Sequence, residues 1–461
     1  MEVSRKSGKV LSVFTLAMIN VIAIDSIRNL PMNASVGYSI VFYYILGSLL
    51  FFIPCMLMTA ELATHYPKTG GSYVWARHAF GHRMGFVTIW LLWIYNVVWF
   101  PTILSFIAAT AVYWFAPELA NSKAFLVPTV VIVFILASLV NAFGMKMASS
   151  ISIIGAIIGT ILPMVLIIGF GIAWVVGGHP LAIQPTVAGF FPDMNNLNNL
   201  SLVVVVLFSL VGIEMSAVHA GEVKNPQRDF PRALMISGAI IVVSLILSSL
   251  ALALVIPAHT LNIISGIDQV FATLLTPYHL QWLLPVTVIM ILVGAFAGMA
   301  AWVLGPAKGF MVAAEEGGMP RWMCHHNRKG APVGVLLVQA IVVCLISLLF
   351  LCFDSVNTAY WILSVLTGQL SLIYYVILFA AMIRLRYITP AQAGAYRIPG
   401  GLKGVWITGL LGIFSCVGAI LLGFLPPSNI TVGHIFGYEA ILIGGIVVFA
   451  GIPWLLYRKP Y

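Results

Sequence analysis

Apolar residues fill the 461-residue chain in long, nearly continuous runs broken by short polar segments. Twelve runs stand out: residues 11–33, 36–65, 85–115, 124–143, 147–176, 199–222, 231–256, 283–307, 333–353, 357–386, 404–424 and 434–456. A bilayer core of about 30 Å takes about 20 apolar residues per helical crossing. Continuous runs also lack the strict apolar–polar alternation of an outer-membrane barrel. The pattern predicts an all-α, polytopic membrane protein with 12 transmembrane helices.

Two runs are interrupted at their middle. In the first, Val21 to Pro31 reads VIAIDSIRNLP, which places Asp25, Arg28 and Asn29 inside a stretch that is otherwise apolar from Leu11 to Tyr44. An ionised side chain at that depth costs about 2.5–3.5 kcal/mol. Either Asp25 and Arg28 neutralise each other at their i,i+3 spacing, or the helix is broken there and they line a wet cavity; we expect the cavity. In the sixth run, Ser201 to Val223, Gly212 and Glu214 hold the equivalent place.

The offset of five runs is odd, so a five-helix unit repeated twice would face opposite ways. Interrupted helices at matching places in two inverted halves point to a secondary-transporter site near the midplane. No residue-level repeat is visible, so the inference rests on topology. Unwound backbone survives in hydrocarbon only where it lines a cavity or binds a ligand. Half-helix amides suit a carboxylate and half-helix carbonyls suit an ammonium group, and together they suit a zwitterion.

Charge adds orientation. With the N-terminus on the cytoplasmic side, 20 of the 22 Lys and Arg fall in cytoplasmic segments, leaving Arg28 in the membrane and Lys123 outside. This bias predicts a multi-pass cell (inner) membrane protein with both termini cytoplasmic. Arg5, Lys6 and Lys9 precede an apolar run as in a signal peptide, but no small-residue cleavage site follows, so the run is expected to be a retained first helix.

Composition narrows function. At 61% hydrophobic and 8% charged residues the chain is no soluble globule, and its net charge of +9 reflects membrane orientation rather than a nucleic-acid partner. Cys55, Cys344, Cys352 and Cys416 lie in apolar segments and Cys324 in a basic loop beside His325 and His326, with no paired spacing for a metal or disulfide framework. No cofactor or metal is expected. The partners expected are a small amino acid or amine substrate and membrane lipid. No ATP-binding domain and no HExxH cluster occurs, so gradients or exchange supply the work; a non-transporting nutrient sensor is the alternative outside transport.

Several segments resemble the amino acid, polyamine and organocation superfamily, most closely its glutamate/γ-aminobutyrate antiporter family. They are Phe42 to Thr64, GGSYVWARHAFG (Gly70 to Gly81), GTILP (Gly159 to Pro163), Gly212 to Ala233 and AAWVLGPAKG (Ala300 to Gly309), spread over roughly three quarters of the chain. The resemblance implies a LeuT-type fold: a first inverted repeat over residues 11–176, a second over 199–386, and peripheral helices over 404–456. It also implies antiport by alternating access. An exchanger or proton-coupled importer of cationic amino acids or polyamines is the alternative.

Carried over, the resemblance puts Ile24, Asp25, Ser26, Ile27, Arg28 and Asn29 at the substrate site with Gly212, Ile213, Glu214 and Met215. Trp302 becomes a wall residue, and Tyr374 or Tyr375 approaches the cavity. Three departures stand out. Arg28 and Asn29 replace a tyrosine and a glutamate ahead of the first-span proline, Gly298 replaces an acid four residues before Trp302, and only about five residues follow the last span.

Roles remain open among these residues. Arg28 either holds a substrate carboxylate or gates the outer mouth, and Asp25 would attract an amino or guanidino group. Glu214 is either a proton acceptor or an anchor of the helix break. His219 is either a helix-surface or gate residue or a proton-coupling group. Glu222, Lys224, Arg228, Asp229 and Arg232 form either a cytoplasmic gate or a solvated loop. Tyr95, Asn96 and Trp99 of the third span could complete the pocket or pack as ordinary aromatics. Gly70 and Gly71 open a short interfacial helix whose Tyr73 and Trp75 suit the headgroup belt.

Overall fold

The computed structural model describes residues 12–66, 70–143, 155, 157–193, 197–223, 225–313, 321–327, 331–389, 395–427 and 432–457. Among them are no β-strands and 12 helices long and apolar enough to cross a membrane. In order these spans are Val13–Ala34, Gly37–His65, His82–Tyr113, Lys123–Asn141, Ile157–Val176, Asn198–Ala217, Pro226–Val255, Gln281–Met311, Val333–Cys352, Val356–Ile388, Gly401–Leu422 and Ile435–Leu456.

Burial sorts them. The most apolar part of the third span is 94% buried inside the protein and that of the twelfth only 11%. A helix apolar all round but wrapped by protein is a core strut, whereas one apolar and uncovered faces lipid. The third, sixth and tenth spans, the most enclosed, therefore form the centre, and the twelfth is the least covered.

The first span is not one helix. Ser12 caps its start by accepting from the Thr15 amide, and regular helix runs only over Val13–Ile24. Asp25 and Ser26 are extended, with ψ of 109° and 112°. A 3-10 turn, Ile27–Asn29, then leads into the short helix Leu30–Ala34. Pro31 explains part of this: it has no N–H to bond the Ile27 carbonyl, and its ring would collide with that carbonyl in a continuous helix.

The sixth span breaks likewise. Helix Leu202–Ser209 stops, Gly212 takes φ of +124°, and tight 3-10 winding resumes over Ile213–Glu222. Only glycine adopts that φ without steric cost. A side chain there would also meet Ile24 of the first span at 3.3 Å and Trp302 of the eighth at 3.4 Å.

The fifth and eighth spans cross in backbone contact. A Cβ on Gly159 would fall 2.1 Å from the Gly294 nitrogen, so neither position has room for a side chain. Small residues let membrane helices approach in this way. Just before Pro163 the fifth span widens into a π turn, Ile157–Ile161, which accommodates the missing proline donor.

Among the short helices that join the spans, two are ten residues long. Gly71–Phe80 follows the second span as expected, but Trp75 is fully enclosed and Tyr73 is 3% exposed. These aromatics pack inside the protein rather than in a headgroup belt. Gly266–Leu275, between the seventh and eighth spans, was not expected. It buries Ile267, Val270, Phe271, Leu274 and Leu275 completely.

Candidate functional site

The two breaks flank a pair of adjoining cavities. The first encloses about 550 Å³ including its mouth and is lined by Asp25, Ser26, Ile27 and Arg28, with Trp99, Phe106, Thr160, Met299 and Trp302. The second, about 400 Å³ counted with the open space at its mouth, is lined by Ile24, Ser26, Arg28, Asn29, Tyr95, Asn96, Trp99, Phe208, Val211 and Trp302. Ala23, Ser26, Arg28, Trp99 and Trp302 belong to both. Trp99 and Trp302 meet at 6.4 Å between ring centroids, tilted by 60°.

Asp25 and Arg28 are both buried, at 4% and 2% exposure, yet no bond joins them among the described residues. The Ser244 hydroxyl of the seventh span donates to Asp25, 2.9 Å from Oδ2. Arg28 Nη1 instead donates to Thr102 Oγ1 of the third span at 3.0 Å and to the Tyr360 hydroxyl of the tenth at 2.9 Å. Its guanidinium carbon also lies 5.7 Å from the Trp99 ring and 5.6 Å from the Tyr360 ring, within reach of cation–π attraction. The extended backbone at Asp25 and Ser26 is what sends the two side chains apart, because i and i+3 share a face only on a regular helix.

The residues named from the sixth span sit differently. Val211 lines the second cavity, and Gly212 abuts Ile24 and Trp302 at its edge. Ile213, Glu214 and Met215 line neither cavity. Glu214 is 3% exposed and accepts from both tenth-span tyrosines, from Tyr374 at 3.4 Å and from Tyr375 through a shorter contact. The Tyr375 hydroxyl accepts in turn from the Gly212 amide at 2.9 Å. Tyr375 therefore holds the break from behind, with the Glu214 carboxylate bonded beside it.

A second relay fixes the other sides of the breaks. Asn33, after the first break, donates to the Tyr44 hydroxyl at 2.6 Å, and that hydroxyl bonds Ser209 at 3.1 Å, just before the sixth-span break. Asn96 spends its amide on the Leu92 carbonyl at 2.7 Å within its own helix. The Tyr95 hydroxyl and Arg28 Nε are buried without a hydrogen-bond partner.

The gate candidates fare unevenly. The side chains of His219 and Glu222, and all of Lys224, lie outside the described residues. Arg228 is exposed in the first turn of Pro226–Val255, away from both cavities. A different ion pair joins the ends of the second and tenth spans: Arg386 Nη1 bonds Glu61 Oε1 at 2.7 Å, and the Ile398 amide donates to Glu61 Oε2 at 2.8 Å.

Sequence reasoning missed Thr102, Ser244 and Tyr360. Hydroxyls in apolar helices most often bond the preceding turn, as Thr88 does to Met84 at 2.7 Å. Nothing in the sequence separates those that also reach across to a buried charge.

Such an arrangement, two broken helices around cavities lined by ionisable and aromatic residues in a multi-pass helical bundle, is that of a membrane transport protein. A family model for amino acid permeases matches residues 10–447, and the chain belongs to that family. It is a transporter, not an enzyme. The chain is 49% identical over 454 residues to an uncharacterized transporter of Legionella pneumophila subsp. pneumophila (strain Philadelphia 1), covering 98% of this chain and 97% of that one. It is 28% identical over 456 residues to a glutamate/gamma-aminobutyrate antiporter of Lactococcus lactis subsp. lactis (strain IL1403), covering 98% and 90% of the two chains. Over 372 residues it is 26% identical to the "Probable agmatine/putrescine antiporter AguD" of the same strain, covering 80% and 78%.

Proposed function

We propose that this permease is an antiporter of small amino compounds in the cell (inner) membrane, working by alternating access with both termini cytoplasmic. The observation that carries this reading is the pairing of the two breaks, at Asp25–Ser26 and Leu210–Gly212, on either side of cavities lined by ionisable and aromatic residues. In the proposed LeuT-type arrangement, residues 11–176 and 199–386 are inverted repeats and 404–456 are peripheral. Two of the relatives described above carry antiporter names, which favours exchange over symport.

In this orientation Arg28, tied to Thr102 and Tyr360, closes the outer side of the site. The Glu61–Arg386 pair ties the second and tenth spans on the inner side. Alternating access requires these two sets of contacts to loosen in turn. Counterflow in proteoliposomes tests the proposal. Labelled substrate should accumulate only when the lumen holds an unlabelled amino acid or amine, and equal uptake into empty liposomes would reject exchange.

A further inference from the structure

Away from the paired cavities, a groove of about 1050 Å³, counted with the open space at its mouth, runs between the second, sixth and eleventh spans. The second and sixth spans line it with their first halves, Phe42 to Leu50 and Leu200 to Leu207, and the eleventh with its last half, Phe414 to Leu422. Successive spans alternate in direction, so the eleventh runs opposite to the other two and all three stretches fall in one half of the membrane. Phe42 to Leu50 rises about 12 Å along its helix, close to the roughly 15 Å that one leaflet contributes to the hydrocarbon core.

The lining has the chemistry of hydrocarbon. Only Tyr43 and Ser415 bring a polar side-chain atom to it, and both are already bonded within the protein. The Tyr43 hydroxyl donates to the Asn199 carbonyl at 3.2 Å. Ser415 Oγ donates to the Leu50 carbonyl at 3.1 Å, which Pro54, lacking an N–H, leaves without its usual helical donor. That bond ties the second span to the eleventh at the deeper end of the groove. At the end nearer the surface, Phe42 and Phe191 meet at 5.5 Å between ring centroids. Gly418 hollows the space between: a Cβ there would meet nothing within 4 Å.

A partner helix does not suit this shape. One that crosses the membrane runs through both leaflets and is about 10–12 Å across with its side chains, whereas the groove ends at mid-membrane. A polar solute finds no free donor or acceptor on its walls. We propose that the groove seats one acyl chain of a membrane phospholipid, with the headgroup outside it near Phe191. The seated chain lies on Val206 and Leu207, in the helix that ends at the sixth-span break, and braces that helix. Recognition is by the tail alone, because no charged side chain lines the groove among the described residues. None of this depends on what the permease carries.

Native mass spectrometry of the full-length protein, taken from nanodiscs of long-chain phosphatidylethanolamine and phosphatidylglycerol in equal parts, tests the assignment. One phospholipid per chain should survive delipidation, with both headgroups retained alike. Gly418→Phe fills the groove and should cut the lipid-bearing fraction about 10-fold, the scale on which overpacking an apolar site acts. Gly418→Leu, which fills less of the space, should fall between. Gly444→Phe, on the twelfth span where a Cβ also meets nothing within 4 Å, should keep the lipid. Added phospholipid should raise the thermal midpoint of the delipidated parent and of Gly444→Phe but not of Gly418→Phe, since a ligand stabilises only the form that binds it.

A parent that retains no lipid, or equal retention by parent and Gly418 variants that are monodisperse, would overturn the proposal. Retention of phosphatidylglycerol alone would overturn it as well, by making the headgroup the recognised part. Conversion of a parental dimer to a monomer by Gly418→Phe would do the same, by making the occupant a second copy of the chain.

Discussion

The Tyr375 hydroxyl stands 2.9 Å from the Gly212 amide and accepts from it, while donating to Glu214 two residues further along the same interrupted span. One phenol therefore pairs a main-chain amide freed at the break and the carboxylate just beyond it, groups that hydrocarbon would leave unsatisfied. Replacing Tyr375 by Phe keeps the ring against Phe51 but strands a buried donor and a carboxylate oxygen. The expected loss is about 1–3 kcal/mol, read as a lowered thermal midpoint in detergent, with exchange reduced. An unchanged midpoint would mean that the break holds itself open.

Gly212 gives a sharper steric test. Alanine at φ of +124° is strained by about 1–3 kcal/mol, and its methyl would press on Ile24 and Trp302. Gly212→Ala is therefore expected to fall in stability and to lose most exchange activity, because the strain is relieved only by shifting the two cavity walls. Gly298 offers the control: a Cβ there meets nothing within 4 Å, so Gly298→Ala should remain as stable as the parent.

The buried pair of Glu61 and Arg386 should behave as a unit. Removing one partner leaves the other charge uncompensated, which costs about 3–5 kcal/mol. Glu61→Gln and Arg386→Met alone are each expected to be severe, and the double variant much milder than their sum. Additive effects in the thermal midpoint would show that the two side chains are not coupled.

Asp268, on the short helix Gly266–Leu275 outside the spans, is fully buried and accepts from Thr110 at 3.0 Å. Burial pushes its carboxyl up to about 7, against smaller lowering by Thr110 and by its own backbone. The folded protein thus holds this proton more tightly than the unfolded chain does. The contribution to stability is fully present below about pH 4, where the unfolded group also protonates, and is lost as pH rises through about 7. Asp268→Asn should flatten that part of the pH–stability curve; a difference between the two proteins that does not vary from pH 4 to 8 would contradict the assignment.

Much of the scaffold was legible in the chain because hydrocarbon imposes simple demands. Apolar length marked the spans, and Asp25, Arg28, Gly212 and Glu214 marked the two interruptions, since a charge or a left-handed glycine has no business in a regular membrane helix. Partners were not legible. Asp25 and Arg28 are three residues apart and suggest each other, yet the extended backbone between them sends one to Ser244, 219 positions away, and the other to Tyr360, 332 positions away. The enclosed Trp75 escaped for a related reason: an aromatic suits a headgroup belt or a protein core equally well until the neighbouring helix is placed. Helix Gly266–Leu275 is too short to announce itself by length.

Counterflow in proteoliposomes carrying the parent chain or Gly212→Ala bears most directly on the claim that an amino compound passes between the two broken helices. Labelled 4-aminobutyrate or glutamate should accumulate only against an amino substrate in the lumen, and the glycine variant should lose that accumulation while still inserting. Accumulation that ignores the luminal contents, or a variant that exchanges as fast as its parent, would contradict the claim.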